Sequence, residues 1–268
     1  MELKPFVKWA GGKRQILDYI VANLPKEYNR YFEPFLGGGA VLLHLQPKEA
    51  IVSDVNEELI NAFNVIKSQP AELLKKIKKM KNDEEFFYKV RKQKTEKLKP
   101  VDRAARFIYL NKTCFNGLYR ENSKGEFNVP FAYHKNPTIA DPENINNLHE
   151  YLTNETVKLV SADYRQILLE AKEGDLVYID SPYFPIKKGS FTKYARNDFT
   201  LKDHQDLAEV FKTLDERGCK VLMSNSNTKF IKDLYKDFTV IPIPARRSIN
   251  SKGNARSKDL IEVLIKNY

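Results

Sequence analysis

Short apolar runs alternate with helix-like repeats in the first 66 residues and again from about residue 157. In the first stretch, RYFEPF and EAIVSD predict strands, and LGGGAVLLHL predicts a glycine turn that opens a helix. NEELINAFNVIK predicts a second helix, with Asn56 as its N-cap. In the later stretch, DHQDLAEVFKTLDERG predicts a helix, and strands are predicted for VKLVSAD, LVYIDSPY, KVLMSN, TVIPIP and LIEVLIKNY. Alternation of this kind is typical of an α/β fold.

The segment between these two stretches has a different pattern. From residue 67 the chain is highly charged and helical in period, and DRAARFIYLNKT predicts a further helix. NGLYRENSKGEFNVPFAYHKNP is rich in turn residues and predicts a hairpin or a loop. We therefore predict a discontinuous catalytic α/β domain over 1–66 and 157–268, with a helical domain inserted at 67–156.

The charge balance favours a polyanionic partner. The 268 residues contain 45 Lys and Arg against 35 Asp and Glu, a net charge of +10. Nucleic acid is the first candidate and a membrane surface the second, although solvated lysine-rich helices would explain the same excess. The two cysteines and four histidines have no metal-like spacing, so neither a metal site nor a disulfide is predicted. Without a signal peptide or a membrane-spanning apolar run, we expect a cytoplasmic protein.

The glycine turn in FEPFLGGGAV follows a predicted strand and opens a helix. Glycine lets a ligand approach the backbone, and the N-terminal amides of a helix favour anionic groups. The spacing is not the dinucleotide pattern GxGxxG, and a plain tight turn would explain it as well. Asp54 ends the next predicted strand, where an acid accepts hydrogen bonds from ribose hydroxyls in nucleotide-binding α/β folds. Its alternative role is to cap the helix over 56–67.

The apolar run LVYI stops abruptly at Asp180-Ser181-Pro182-Tyr183. Pro182 biases Ser181 toward an extended backbone. The Asp180 carboxylate and the Ser181 carbonyl are both acceptors, so together they can hold an amino group that has two hydrogens to donate. The Tyr183 ring can stack on another planar ring. This set suits the amino edge of a nucleobase, which must leave a duplex to reach it.

Five segments, in this order, resemble those of the Dam-type DNA adenine methyltransferases (D12 class, alpha group): KWAGGKR, FEPFLGGGA, YLNKTCFNGLYRENSKGEFNVPF, VYIDSPY and ARRSINSKGNARSKDLIEVLIKNY. The resemblance covers most of the chain and is weakest over 68–102 and 138–158. It implies a Rossmann-like S-adenosylmethionine-dependent methyltransferase fold with an inserted helical target-recognition domain. It also implies S-adenosylmethionine as methyl donor, double-stranded DNA as partner and the exocyclic amino group of a flipped adenine as acceptor.

The resemblance assigns roles to residues by motif position. Those implied to hold and activate the flipped base are Asp180, Ser181, Pro182 and Tyr183. Those implied to line the cofactor site, with Asp54 on the ribose and Asp163 on the cofactor's adenine, are Trp9, Ala10, Lys13, Phe35, Gly37, Gly39, Asp54, Asp163 and Asp180. Those implied to contact DNA are Lys8, Phe115, Asn116, Leu118, Arg120 and Pro130. Those expected to contact phosphates or stay solvated are Lys124, Arg246, Arg247, Lys252 and Arg256.

Two positions depart from the family's pattern. Ser181 stands where the first proline of Asp-Pro-Pro-Tyr is usual, but the role carried over is that of the backbone carbonyl, which serine also has. Ala132-Tyr133-His134 stands where the family commonly has Gly-Arg-Tyr, which leaves the recognition sequence open. The resemblance otherwise favours 5′-GATC-3′, with Lys8 and Arg120 each able to read a guanine.

Three alternative functions stay open. DNA cytosine amino-methylation is disfavoured because serine is more usual at the position of Asp180. A DNA-binding relative with impaired catalysis is disfavoured by the intact Asp54, Asp180 and glycine turn, and glutamine methylation in a protein by the basic insert. Neither Cys114 nor Cys219 follows a proline, as the nucleophile of the cytosine ring-carbon methyltransferases does. We expect a monomer without membrane contact, and a cognate restriction endonuclease is a candidate partner.

Overall fold

The computed structural model describes residues 2–122, 124–186, 199–244 and 262–268. The strands within them are β1 (Tyr31–Glu33), β2 (Glu49–Asp54), β3 (Thr156–Ser161), β4 (Leu176–Ile179), β5 (Lys220–Ser226), β6 (Thr239–Ile243) and β7 (Glu262–Lys266). They form one sheet in the order β3-β2-β1-β4-β5-β7-β6. The strands β1 to β5 are parallel, and β7 runs antiparallel between β5 and β6.

The helices in the described ranges include those predicted. They are α1 (Leu17–Ala22), α2 (Ala40–Leu45), α3 (Glu57–Ser68), α4 (Pro70–Ile77), α5 (Glu84–Arg91), α6 (Pro100–Thr113), α7 (Pro142–Asn154), α8 (Tyr164–Leu168), α9 (Leu201–Glu216) and α10 (Lys229–Leu234). Of these, α1, α8 and α10 lie where no helix was predicted. Short 3-10 turns lie at Lys13–Gln15, Thr95–Lys97 and Phe115–Gly117. Asn56 caps α3 as predicted, because its side chain accepts a hydrogen bond of 3.0 Å from the backbone amide of Leu59.

Helices cover both faces of the sheet. Successive strand residues point to opposite faces, so Tyr31 of β1 packs into one apolar cluster and Phe32 into the other. The cluster of Tyr31 contains residues of α2, α3, α6 and α7, and the cluster of Phe32 contains residues of α8, α9 and α10. A sheet covered in this way is the layered α/β arrangement that the sequence predicts, and it agrees with a Rossmann-like fold.

The region predicted to be an inserted domain contributes to two cores. Its helices α4, α6 and α7 pack into the cluster that contains α3, whereas α5, the end of α6 and the 114–131 segment form a separate cluster. The 114–131 segment folds back on itself through one bridge between Cys114 and Phe131 and another between Glu121 and Phe127. This confirms the hairpin or loop predicted there. The division into two domains at the bounds given above stays a prediction.

The direction of winding reverses between β1 and β4. β2 and β3 extend the sheet on one side of β1, while β5 lies on the other side of β4, so β1 and β4 are adjacent and parallel. In open α/β sheets, ligands bind beyond the carboxyl ends of the strands at such a point. Because Glu33 ends β1 and Asp180 directly follows β4, the glycine turn and the Asp180–Tyr183 segment meet at this edge.

No helix of the described ranges combines the length and the apolar character needed to cross a membrane. The same ranges contain no cluster of three or more His, Cys, Asp and Glu side chains arranged to hold a metal ion. Cys114 and Cys219 are both buried as free thiols.

Candidate active site at the carboxyl ends of the parallel strands

Asp180 lies at the centre of a polar network just beyond β4. Its Oδ1 atom is 2.7 Å from the Lys13 ammonium and accepts a hydrogen bond of 3.1 Å from Ser224 Oγ on β5. The Ser224 hydroxyl is also 3.0 Å from the Tyr178 hydroxyl. Burial raises the pKa of Asp180, and Lys13 and Ser224 oppose that shift because they stabilise the charged carboxylate.

Tyr183 is fixed at both its hydroxyl and its ring. The hydroxyl donates a hydrogen bond of 2.9 Å to Glu262 Oε2 on β7, and Lys13 Nζ lies 4.6 Å from the centroid of the ring. Burial raises the pKa of Tyr183 well above its usual value, which keeps the phenol neutral and able to donate. Together, Lys13, Asp180, Tyr183, Ser224 and Glu262 are called the strand-end site below.

Ser181 is buried, and its side chain is tied to β5. Asn225 Nδ2 donates to Ser181 Oγ over 3.4 Å, while Asn225 Oδ1 accepts hydrogen bonds from the backbone amides of Phe184 at 3.1 Å and Ser226 at 2.8 Å. Asn225 therefore contacts the chain on both sides of Pro182. A proline at position 181 could not accept this side-chain hydrogen bond.

The glycine turn is fixed by Asp54 and covered by Trp9. The Gly37 amide donates to Asp54 Oδ2 over 2.9 Å, and the other carboxylate oxygen accepts from the Asn56 amide at 2.9 Å. Gly37 has φ of 51°, and an added Cβ would lie 2.8 Å from Trp9 Cδ1, so a side chain is excluded there. Gly39 precedes α2 as its N-cap. Asp54 thus holds the turn, whereas Asn56 supplies the side-chain cap of α3.

Aromatic rings and a second acid lie beyond β1 and β3. The Phe35 ring stacks on Tyr164 with centroids 5.2 Å apart, and Phe199 meets Phe35 edge-on at 6.2 Å. Asp163, which directly precedes Tyr164, caps α8 by accepting from the Arg165 amide at 3.0 Å, and its carboxylate pairs with the Arg165 guanidinium at 3.2 Å. The carboxylate is partly exposed, so it retains lone pairs for a further donor.

Glu33 is a buried acid below the strand-end site. Its Oε2 atom accepts hydrogen bonds from the Tyr31 hydroxyl at 2.9 Å and the Leu42 amide at 3.2 Å. Burial, chiefly, raises the pKa of Glu33 to about 8, and the neighbouring Asp180 charge adds to the increase. At neutral pH the Glu33 carboxyl is therefore mostly protonated.

Lys8 is held against the 114–131 segment by Asn111, the buried amide near the end of α6. The Asn111 side chain accepts from the Lys8 amide at 2.8 Å and donates to the carbonyls of Lys8 at 2.8 Å and Gly117 at 3.0 Å. Gly117 has a positive φ, and an added Cβ would lie 2.5 Å from the Lys8 side chain. Only glycine fits this approach, and Lys8 is exposed.

The 114–131 segment presents its predicted DNA-contacting residues at the surface. Phe115 and Asn116 are exposed, and Asn116 has φ of 55°. The Phe115 amide donates to the Pro130 carbonyl at 2.9 Å, which brings the two ends of the segment together. Arg120 is exposed, with Nε donating to Asn128 Oδ1 over 2.8 Å, and Leu118 is half-buried between these positions.

A basic cleft of about 500 Å³ lies beside this segment, with a wall formed by Lys8, Lys112, His134, Lys135, Asn136, Pro137 and Thr138. Burial, followed by the charges of Lys8 and Arg14, lowers the pKa of Lys112. Tyr133, in the departure from the family pattern, is exposed with φ of 52° and packs edge-on against Phe131. Lys124 is exposed, whereas Arg246, Arg247, Lys252 and Arg256 lie outside the described residues.

The structure brings Lys13, Asp180 and Tyr183 together, and it adds residues that the sequence analysis did not identify. These are Glu33, Asn111, Ser224, Asn225 and Glu262. A signal existed for some of them: Glu262 is the charged residue within LIEVLI, and Ser224-Asn225 ends the apolar run KVLM. The residues that they contact are set by the pairing of strands distant in sequence, and the spacing of residues along the chain does not reveal that pairing.

The chain was compared with known proteins. A family profile described as D12 class N6 adenine-specific DNA methyltransferase matches residues 9–249. The chain belongs to this family. It is 43% identical to the type II methyltransferase M.MjaIII of Methanocaldococcus jannaschii, with both chains covered in full. It is 41% identical to the type II methyltransferase M1.LlaDCHI of Lactococcus lactis, over 100% of this chain and 96% of the relative. Identity to the DNA adenine methylase of Escherichia coli is 35%, over 95% and 92% of the two chains.

The D12 membership confirms the resemblance and the Rossmann-like methyltransferase fold expected from it. The protein is accordingly a DNA adenine methyltransferase, an enzyme that acts on DNA and uses a methyl donor. The names of the type II relatives fit a restriction-modification setting.

Proposed function

We propose that this enzyme transfers the methyl group of S-adenosylmethionine to the exocyclic amino group of an adenine flipped out of duplex DNA, within 5′-GATC-3′. The observation that supports this most strongly is the position of Asp180. It is a largely buried carboxylate at the switch point of the sheet, beside the Ser181 carbonyl and the Tyr183 ring. Two acceptors and an aromatic face suit the amino edge of a purine.

The residues at the strand ends fit S-adenosylmethionine. Asp54 accepts hydrogen bonds from the backbone amides of Gly37 in the glycine turn and of Asn56, and it keeps lone pairs for ribose hydroxyls. Asp163 and the Phe35 ring lie at the neighbouring strand ends, where a carboxylate and a planar surface suit an adenine ring. Trp9 lies over Gly37, and Ala10 lies in the turn that the Gly12 amide closes onto the Trp9 carbonyl, which suits a wall of the cofactor site.

Catalysis by this site requires positioning rather than covalent attack. When bound, S-adenosylmethionine supplies a methyl group already activated by its sulfonium. Asp180 and the Ser181 carbonyl accept the two amino hydrogens and orient the nitrogen toward the methyl carbon. Both groups stabilise the positive charge that develops on nitrogen as the new bond forms. Asp180 is also placed to receive the proton that the methylated nitrogen releases. Tyr183 stacks on the base and Pro182 restrains the backbone between them.

The 114–131 segment supplies the DNA-reading surface in this proposal. Arg120 and Lys8 read guanines in the major groove, and Leu118 and Pro130 contact a thymine methyl group. Phe115 and Asn116 fill the stack that the adenine leaves. The support is geometric, because Asn111 fixes Lys8 beside the segment and the reading side chains are exposed. The residues expected to contact phosphates are Lys124, Arg246, Arg247, Lys252 and Arg256.

The recognition sequence is tested by protection of plasmid DNA. Plasmid incubated with the enzyme and S-adenosylmethionine is challenged with an endonuclease that adenine methylation blocks at GATC, and we expect protection. Complete cutting, with methyl groups found in another sequence, would show that the GATC assignment is wrong while the adenine chemistry stands. A cognate restriction endonuclease, a monomeric state and a cytoplasmic location stay predictions.

A further inference from the structure

We propose that Lys13 is a positioning residue for Asp180: it holds the catalytic carboxylate ionised and in place in the free enzyme, and it gives way when the amino group of the target base arrives. The inference rests on the proposed function, because it concerns the same carboxylate. It departs from the cofactor contact that motif position assigns to Lys13.

The Lys13 ammonium occupies the place that the proposed function gives to the amino group of the base. Its Nζ atom is 2.7 Å from Asp180 Oδ1 and 4.6 Å from the centroid of the Tyr183 ring. A third contact, of 2.8 Å, is to the Gly11 carbonyl. A carboxylate on one side and an aromatic face on the other are the two features that hold the base. The ammonium and the base cannot both lie there, so the ammonium must move before the reaction.

The surroundings of Asp180 explain why the free enzyme needs a cation. Glu33 of β1 and Glu262 of β7 face it, and burial raises the pKa of both acids. The hydroxyls of Tyr178, Tyr183 and Ser224 are the other surrounding groups, so none of these neighbours supplies a positive charge. Burial raises the pKa of Asp180, and the charge of Lys13 is the largest opposing influence. A buried carboxylate without a cation takes up a proton instead of remaining charged. A protonated Asp180 would lose an acceptor for the base.

The position and the side chain of Lys13 suit both parts of this role, which are to hold Asp180 in the free enzyme and to move away when the base binds. The residue starts the short turn Lys13–Gln15, and its side chain is only 8% exposed. Its four-carbon stem is flexible, and its ammonium makes no fixed planar fork, so it can leave Asp180 without disturbing the turn. An arginine would keep the charge at this position but with a larger, planar head.

The test is the pH dependence of methylation by Lys13→Met. Rates are measured from about pH 5 to 10 with saturating S-adenosylmethionine and varied duplex DNA. The acid limb of kcat/KM, which reports the free enzyme, should move up by about 1–3 pH units. Activity lost at neutral pH should therefore return at alkaline pH. The acid limb of kcat should coincide with that of the wild type, because the base has displaced the ammonium in the bound complex.

Lys13→Arg and Arg14→Met serve as matched controls. The arginine variant keeps a cation and should retain an acid limb near that of the wild type, and loss of the exposed neighbouring charge in Arg14→Met should not move the limb. Should Lys13→Met fail to fold, Lys13→Gln gives the same comparison. Calorimetric titration with S-adenosylmethionine should show affinity within about threefold of the wild type for each variant.

Three results would overturn the inference. An unmoved kcat/KM limb in Lys13→Met, with weakened S-adenosylmethionine binding, would make Lys13 a cofactor contact. An acid limb that moves in Arg14→Met but in neither Lys13→Met nor Lys13→Gln would assign the charge effect to Arg14 instead of Lys13. A kcat limb that moves as far as the kcat/KM limb would contradict the displacement. A wild-type enzyme that leaves adenine unmethylated in the same assay would instead contradict the proposed function itself.

Discussion

The strand-end site and the 114–131 segment differ in whether their side chains already have partners within the protein. In the strand-end site, Asp180 and Tyr183 already have partners within the protein, supplied by other strands and by the N-terminal segment. In the 114–131 segment, Phe115 and Arg120 reach into solvent, and Arg120 is bonded only to its local neighbour Asn128 among the contacts described for it. The central side chains of the first region are held by contacts distant in sequence, whereas Arg120 in the second is held by a local one.

The difference matches what the proposed function requires of each region. Chemistry requires donors and acceptors held in place before the reaction, because reorganisation during the reaction would raise the barrier. Reading a DNA sequence requires side chains that reach base edges on a backbone of fixed shape. The buried Asn111 amide joins the two regions, because it ties Lys8, which begins the N-terminal KWAGGKR motif that contains Lys13, to Gly117 of the 114–131 segment.

The largest effect should come from Asp180→Ala, which removes the central group of the strand-end site. Methyl transfer should fall at least about a hundredfold, ~2.7 kcal/mol in the barrier, because the amino group loses its charged acceptor. Binding of S-adenosylmethionine, measured by calorimetry, should change little. A rate within about tenfold of the wild type would end the assignment of Asp180 as the catalytic carboxylate.

Glu33→Gln tests whether burial below the strand-end site raises the pKa of the Glu33 carboxyl. The pKa of Glu33 is raised from 4.5 to about 8 in the folded protein, so its stabilising contribution is complete below pH 4.5 and is lost as the pH rises toward about 8. Each pKa unit corresponds to about 1.4 kcal/mol, which gives a change of a few kcal/mol in the free energy of unfolding.

The measurement for Glu33 is denaturant unfolding across this pH range. The free energy of unfolding of the wild type should decrease more steeply with rising pH than that of Glu33→Gln, whose amide does not titrate. Glu27→Gln, a change at an exposed glutamate, should follow the wild type. Parallel curves for the wild type and Glu33→Gln would contradict the raised pKa.

Arg120→Ala tests the 114–131 segment and should have a moderate effect that depends on sequence. Loss of a bidentate contact with guanine should cost about 1–3 kcal/mol at one base pair and relax specificity there. Lys124→Ala is the matched control, because loss of a phosphate contact should weaken binding to all duplexes equally. Equal weakening in Arg120→Ala, measured over single-base variants of the site, would reassign Arg120 to phosphate binding.

Ser181→Pro should have the smallest effect. Proline keeps the backbone carbonyl that the mechanism uses, and the hydrogen bond that it removes, from Asn225, is long at 3.4 Å. The rate should stay within about fivefold of the wild type, ~1 kcal/mol. If the variant folds and binds S-adenosylmethionine but does not methylate DNA, the serine hydroxyl has a role that the carbonyl does not explain.

Residues in local motifs could be predicted from sequence, and those that depend on strand order could not. Asp180 and Tyr183 stand out because a buried run ends at them, and Asp54 because it ends the next strand after the glycine turn. Glu262 reaches Tyr183 only because β7 inserts between β5 and β6 in the antiparallel direction. The spacing of residues along the sequence does not reveal that β7 lies between β5 and β6.

For other residues, the motif predicted the position of the side chain but not its contacts. Lys13 was expected in the cofactor site, and its pairing with Asp180 depends on how the N-terminal turn packs over the sheet. Asp163 was expected to hold an adenine, and in the structure its carboxylate caps α8 and pairs with Arg165. An acidic side chain next to the start of a helix commonly accepts hydrogen bonds from nearby backbone amides. A motif therefore predicts the position of such a side chain better than it predicts its hydrogen-bond partners.

The central claim is that the strand-end site methylates the amino group of adenine in GATC. Its most direct test is incubation of the wild-type enzyme with isotopically labelled S-adenosylmethionine and paired duplexes that differ only in one GATC site, followed by digestion to nucleosides. We expect label in N6-methyladenine from the duplex that contains GATC. Label in N4-methylcytosine, or in no nucleoside of either duplex, would contradict it.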